Sequence, residues 1–258
     1  MVSPGQLGKH KAFPRCTQDA MLDTYLLTGS NDHAFHATCQ EEGLKPVFHP
    51  FWESLLLADI FLLIMLDILH QMLQGIMKHL IGWLIGIFGP VAINMQCKAI
   101  PPSHKILLFM KGISTLLCIS GHEHKKMCSI LLGLILDLLI PGGQDSSRVV
   151  KAVHTLLDFL FLAQFPSHTS ETLRCLEDCL SAFHNNKDVF LDLGVQENFN
   201  IPKLHSLTHY ARSIQLFGTT DNYNTEQSEQ LHIDFAKDAY RATNCKDEYS
   251  QMTVWLEH

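Results

Sequence analysis

Charge is what this chain has least of. Only 17% of its 258 residues are Asp, Glu, Lys or Arg, and the balance leaves a net charge of −7. A self-sufficient nucleic-acid binder carries a basic face, so this balance argues against one. With 47% hydrophobic residues the chain is no disordered tail or solvated linker either. Its eight cysteines contain no C-x-x-C pair and no signal-peptide pattern precedes them, which predicts scattered reduced thiols rather than a disulfide framework. An uninterrupted membrane-length apolar run is missing as well. From Leu55 to Ile93 the chain is strongly apolar, but Asp59, Asp67, His70, Gln71, Gln74, Lys78 and His79 break it; Met127 to Ile140 is short and holds Asp137. Buried helices of a compact core are expected there, with membrane association through 55–93 as the alternative. The length allows one core or two.

Punctuation divides the chain into 1–102, 103–184 and 185–258. Thr17 caps a short helix through Leu27, and His33, His36 and Cys39 share one face of the next, at a spacing that lacks a fourth zinc ligand. Leu57 to Ile64 reads as a short buried strand, with a helix as the alternative. Asp67 follows and opens a helix running towards Phe88, either as a plain N-cap or as an acid presented at a strand end. Gly89-Pro90 and Pro101-Pro102 bracket a linker. From Ser103 to His184 the pattern is helical: an apolar set at Leu107, Phe109, Ile113 and Leu116, then Met127–Leu139, Val149–Leu162 and Glu171–Phe183, the last capped by Ser167 or Thr169. His122 and His124, near Cys118 and Cys128, are explained equally by a polar loop at Gly121 or by a metal. Cys175 and Cys179 are expected to be unbridged thiols.

The C-terminal third is chemically richer. Pro202 starts a helix on which His205 and His209 stand at i, i+4, a packing pair or a positioning pair. Asn224 is a candidate N-cap for a helix through Arg241, with Gln227 in the capping-box position. Glu226, Glu229 and His232 share a face of that helix, while Leu231, Phe235 and Ala239 form an apolar stripe expected to hold it down. An acid in a first helical turn, with a second acid and an imidazole beside it, is the outline of a divalent-cation site; a solvated, capped helix has the same spacing.

Several long strings carry a resemblance: His-Pro-Phe-Trp at 49–52, Asp67-Ile-Leu-His-Gln71, Ala-Gln-Phe-Pro-Ser-His-Thr at 163–169, Ile201 to Tyr210, and Asp221 to Asn244. In this order they resemble the C-terminal part of the Plavaka-type transposases, of the Kyakuja–Dileera–Zisupton group of fungal transposable elements. The resemblance implies an α+β, helix-dominated fold, a partial RNase H-like core of the DDE type with 103–184 as a helical insertion. It implies DNA as ancestral partner, self-association, Mg²⁺ or Mn²⁺ as cofactor, and a nuclear or cytoplasmic setting. Asp67 and Glu226 take the places of the second and third catalytic acids and metal ligands, with His70, His205, His209, Glu229 and His232 in support. The family's first acid has no counterpart between Met1 and Glu53, Met65-Leu66 replaces the Thr-Pro of relatives before Asp67, and Gln230 replaces an arginine. An ancestral strand-transfer enzyme, catalytically incomplete as it stands, is the expectation; a non-catalytic interaction module is the alternative.

Overall fold

The computed structural model describes residues 65–257 apart from 105, 117, 118 and 144, together with His33, His36, Ala37 and Leu63. The chain divides into two compact units, Met1–Leu63 and Ile64–His258. In the first unit the described residues are helical and exposed, His33 and His36 among them. Cys39, the 17–27 helix and the aromatic segment 49–52 lie outside the described residues. So does nearly all of the expected strand at 57–64, of which Leu63 is helical.

The second unit is built around α1, Ile68–Phe88. Its first nine residues, Ile68–Ile76, are π-wound, and Met77–Phe88 is regular α-helix. Its apolar residues cover a broad face, while Gln71, Gln74, Lys78 and Gly82 line up on a narrow polar one. It buries twelve large apolar side chains, from Ile68 and Met72 to Ile87 and Phe88. At roughly 1.5–3 kcal/mol each in transfer free energy, this helix is the spine of the core. At Gly89 (φ +81°), where only glycine is unstrained, the chain turns by 106° into α2, Pro90–Ala99. Pro90 occupies the first turn of α2, where its missing N–H is harmless. The expected linker at 89–102 is therefore mostly helix. None of the described helices is by itself long and apolar enough to cross a membrane; α1 and α2 pass such a test only as this bent pair.

Residues 100–119 are not helical where described, although the spacing predicts helix from 103. Phe109 and Ile113 reach the core from an irregular segment instead, held by Asn94, whose side chain bonds Ser114 twice, at 2.6 and 3.1 Å. Helix α3, Gly121–Ile135, starts at a capping box in which Ser120 accepts from the Glu123 N–H and the Glu123 carboxylate accepts from the Ser120 N–H. His122 and His124 thus lie in a first helical turn, not a loop. Helices α4, Ser147–Ala163, and α5, Ser170–Asn186, form a closely packed hairpin, with α5 capped by Thr169. Cys175 and Cys179 are free. Helices α3 to α5 share one apolar core with α1 through Met127, Leu131, Leu156, Leu160, Leu176 and Phe183. No strand occurs among the described residues, so the unit is helix-dominated.

The remaining helices are short: α6, Val189–Asp192; α7, Pro202–Ser206, which runs through a tight turn into α8, Tyr210–Phe217; α9, Glu226–His232; α10, Asp238–Arg241; and α11, Glu248–Leu256. Trp83 of α1 anchors the 187–200 stretch, packing at a tilt against Phe190 and edge-on against Phe199 and donating from Nε1 to Gln196 at 3.0 Å.

His124 gives this core a pH dependence. Its Nδ1 lies 3.2 Å from the Ser120 carbonyl, and its Nε2 is buried without a partner. Burial lowers its pKa below the ordinary 6.5. A lowered folded-state pKa means the stabilisation is present above about pH 6.5 and is lost as pH falls through the lower value. Urea denaturation should therefore show stability dropping below about pH 6.5, with a shallower drop in His124→Leu; identical slopes would contradict this account.

Candidate functional site

The start of α1 is where segments far apart in sequence meet. Asp67 has extended backbone (φ −72°, ψ 155°) and caps the helix: its Oδ1 accepts the His70 N–H at 3.0 Å. Its Oδ2 is shared. His70 Nδ1 lies 2.8 Å away, and the Thr225 hydroxyl donates to the same oxygen. His70 Nδ1 is also 3.1 Å from Thr225 Oγ1. With Nδ1 carrying the proton towards Asp67, the other ring nitrogen, Nε2, lies 3.9 Å from Glu229 Oε1. Asp67 is 8% exposed, and both of its carboxylate oxygens accept from protein donors.

Two further contacts act on the backbone of this turn. The Tyr210 hydroxyl donates to the Asp67 carbonyl at 2.8 Å, wholly buried. Burial foremost, and then the Asp67 charge, push the Tyr210 phenol far above its ordinary pKa, so it is a fixed donor. Its ring packs edge-on against Phe159 of α4, with centroids 5.8 Å apart. Lys203 of α7 lays its side chain across α1 and donates to the His70 carbonyl at 2.9 Å. It does so over Gly75, where an added Cβ would sit 2.7 Å from Lys203 Cδ and 2.8 Å from the His70 carbonyl. The π-wound turn opens here between the His70 carbonyl and Gly75, and such turns are frequent at functional sites.

The expected ligands thus come together in part. Asp67, His70 and Glu229 lie within one network, and Glu226 follows directly on Thr225, which touches Asp67 across 158 positions of sequence. The cap of α9 is shifted by one from the expected Asn224: Thr225 occupies it, while the Asn224 side chain accepts the Glu226 N–H at 3.2 Å. Thr225 leaves that N-cap without a side-chain bond because its hydroxyl serves Asp67 instead. His232 lies elsewhere, lining an open hollow of about 350 Å³ with Lys237, Tyr240, Glu248, Tyr249 and Met252. His205 and His209 pack on each other with ring centroids 5.1 Å apart. Burial first, and then His205, lower the pKa of His209. The cation that reaches the site from this region is Lys203. Sequence reasoning missed it together with Thr225, Tyr210 and Gly75; only Gly75, a glycine inside a helical pattern, left a local trace.

The expected stripe of Leu231, Phe235 and Ala239 does not hold α9 down. Leu231 is 46% and Phe235 57% exposed, and of the three only Ala239 is buried. A π turn over Ile233–Lys237 breaks the spacing on which the stripe depends.

A divalent-cation pair needs several convergent carboxylates with free oxygens. Both Asp67 oxygens accept hydrogen bonds from protein donors, and among the described residues no group of three His, Cys, Asp or Glu is placed to hold a metal ion. As arranged, these residues do not fit Mg²⁺ or Mn²⁺.

Two substitutions test the site's construction. Tyr210→Phe leaves the buried Asp67 carbonyl without this donor and should lower unfolding free energy by about 1–3 kcal/mol. Gly75→Ala should destabilise by about 1–3 kcal/mol through overpacking, although alanine gains roughly 1 kcal/mol in helix propensity. A more stable Gly75→Ala protein in urea denaturation would contradict the Lys203 cradle.

Residues 1–84 match the family model described as Plavaka transposase. The match takes in the 49–52 and Asp67–Gln71 strings, bears out the resemblance there, and ends before the other three strings. No curated protein and no solved structure matches the chain.

Proposed function

We propose that this Plavaka-transposase-related chain descends from a DDE-type, RNase H-like enzyme that cut and joined DNA with divalent metal ions, and that its own residues do not cut DNA. One observation supports the ancestry most: Asp67 and the start of α9, far apart in sequence, meet at the positions where the family likeness puts the second and third acids. The loss of cutting follows from chemistry. Both Asp67 oxygens already accept from His70 or Thr225, so a cation would have to compete with these donors for the carboxylate that holds it beside water or a 3′-hydroxyl. The net charge of −7 adds little attraction for a duplex.

A second reading, a non-catalytic interaction module, is favoured by one feature. Leu231, Phe235, Tyr240, Tyr249, Val254 and Trp255 all stand exposed in the last stretch of the chain. Exposed large apolar side chains this close in sequence are the material from which a contiguous interaction surface is built.

Incubating the purified chain with supercoiled plasmid and end-labelled duplex, in Mg²⁺ or Mn²⁺, should give no cleavage above that of Glu226→Gln. Metal-dependent cleavage that disappears in Glu226→Gln would overturn the proposal.

A further inference from the structure

The segment from Glu226 to the C-terminus is attached in an unusual way. Helix α9, the π turn after it and α11 bury no side chain fully, Ile233 and Met252 being only partly covered, and α10 fully buries only Ala239. Among the described elements, their closest packing is with one another. Apolar burial therefore contributes little to holding them against the core.

Polar contacts take that role. Just upstream, the buried Thr220 hydroxyl donates at 2.7 Å to the carbonyl of Ala163, the last residue of α4, where helix carbonyls lack intrahelical partners. Five residues later Thr225 donates to Asp67, and one turn into α9 Glu229 approaches His70. Thr220 sits ahead of the segment, whereas Thr225 caps its first helix. The Thr225 contact is therefore the one that sets the helix direction. Asp67 is well suited to receive it: its carboxylate is buried, already oriented by the His70 N–H and ring, and its own backbone is fixed by Tyr210.

We infer that Asp67 serves in this chain as a latch for the C-terminal arm, Glu226 to Glu257, rather than as a cation ligand. This rests on the non-cutting reading above only in that both give the Asp67 oxygens to protein donors. The latch makes the arm a separately opening unit. When the Thr225–Asp67 bond breaks, little apolar surface opposes release, and the α1–α3–α4–α5 core is untouched. Local opening of this kind is visible in amide exchange because protection then reports the opening equilibrium of the segment.

Thr225→Val is the sharpest probe, since it keeps the side-chain shape, the Asp67 cap and the whole of α1. Hydrogen-exchange mass spectrometry of the full chain should show residues 226–257 exchanging about tenfold or more faster in Thr225→Val, the size set by a hydrogen bond to a charged acceptor. Amides of α4 and α5 should stay within about twofold of wild type. Asp67→Asn should release the arm to a smaller extent, because an asparagine can still cap α1 and accept from Thr225. Unchanged protection of 226–257 in Thr225→Val, or an arm already unprotected in the wild-type chain, would overturn the latch. So would Mn²⁺ binding, followed by calorimetry, that is lost alike in Asp67→Asn and Glu226→Gln. A chain that cuts DNA yet releases its arm in Thr225→Val keeps the latch and removes only the non-cutting reading.

Discussion

A single buried carboxylate, that of Asp67, sets the geometry on which the second unit depends. It begins α1, and α1 is the helix around which the others pack. It receives a backbone N–H and an imidazole from its own helix and a hydroxyl from a residue 158 positions away. A charged acceptor inside protein is tolerable only when its hydrogen bonds are made, and once made they are strong and directional. The Asp67 site meets that condition by drawing the start of α9 onto the start of α1.

Energy and position are divided between two kinds of contact. The dozen apolar side chains of α1, with those of α3, α4 and α5, supply most of the burial and would collapse into some compact bundle whatever their polar neighbours. Which turn meets which is decided by the polar contacts: Tyr210 on the Asp67 carbonyl, Lys203 on the His70 carbonyl, Thr225 on the carboxylate. The π-wound turn at Ile68–Ile76 belongs to the same arrangement, since it brings the His70 carbonyl and Gly75 together beneath Lys203.

Much of the helical framework was legible in the sequence. Asp67 reads as the start of a helix to Phe88, and α4 and α5 follow from apolar spacing to within a few residues, with Ser167 or Thr169 as the expected cap and Thr169 the one used. The meeting of Asp67 with the Glu226 region came from the family resemblance, not from spacing. What was not legible is mostly non-local. Thr225 and Lys203 look like ordinary surface residues until the fold sets them against α1, and no periodicity encodes a contact across 133 or 158 positions. The stripe at Leu231 and Phe235 misled for a different reason: it assumes uniform α-helical winding, which the π turn at Ile233–Lys237 interrupts. Residues 103–119 misled because Phe109 and Ile113 are buried from an irregular segment, and burial alone imitates a helical pattern.

If Asp67 joins the two sides of this junction, contacts to its backbone and to its carboxylate must depend on each other. A double-mutant cycle in urea denaturation between Tyr210→Phe and Thr225→Val measures that dependence directly. The account predicts a coupling of about 0.5 kcal/mol or more, the range of residues in one hydrogen-bond network; additivity within about 0.3 kcal/mol would show that the two contacts are independent and contradict it.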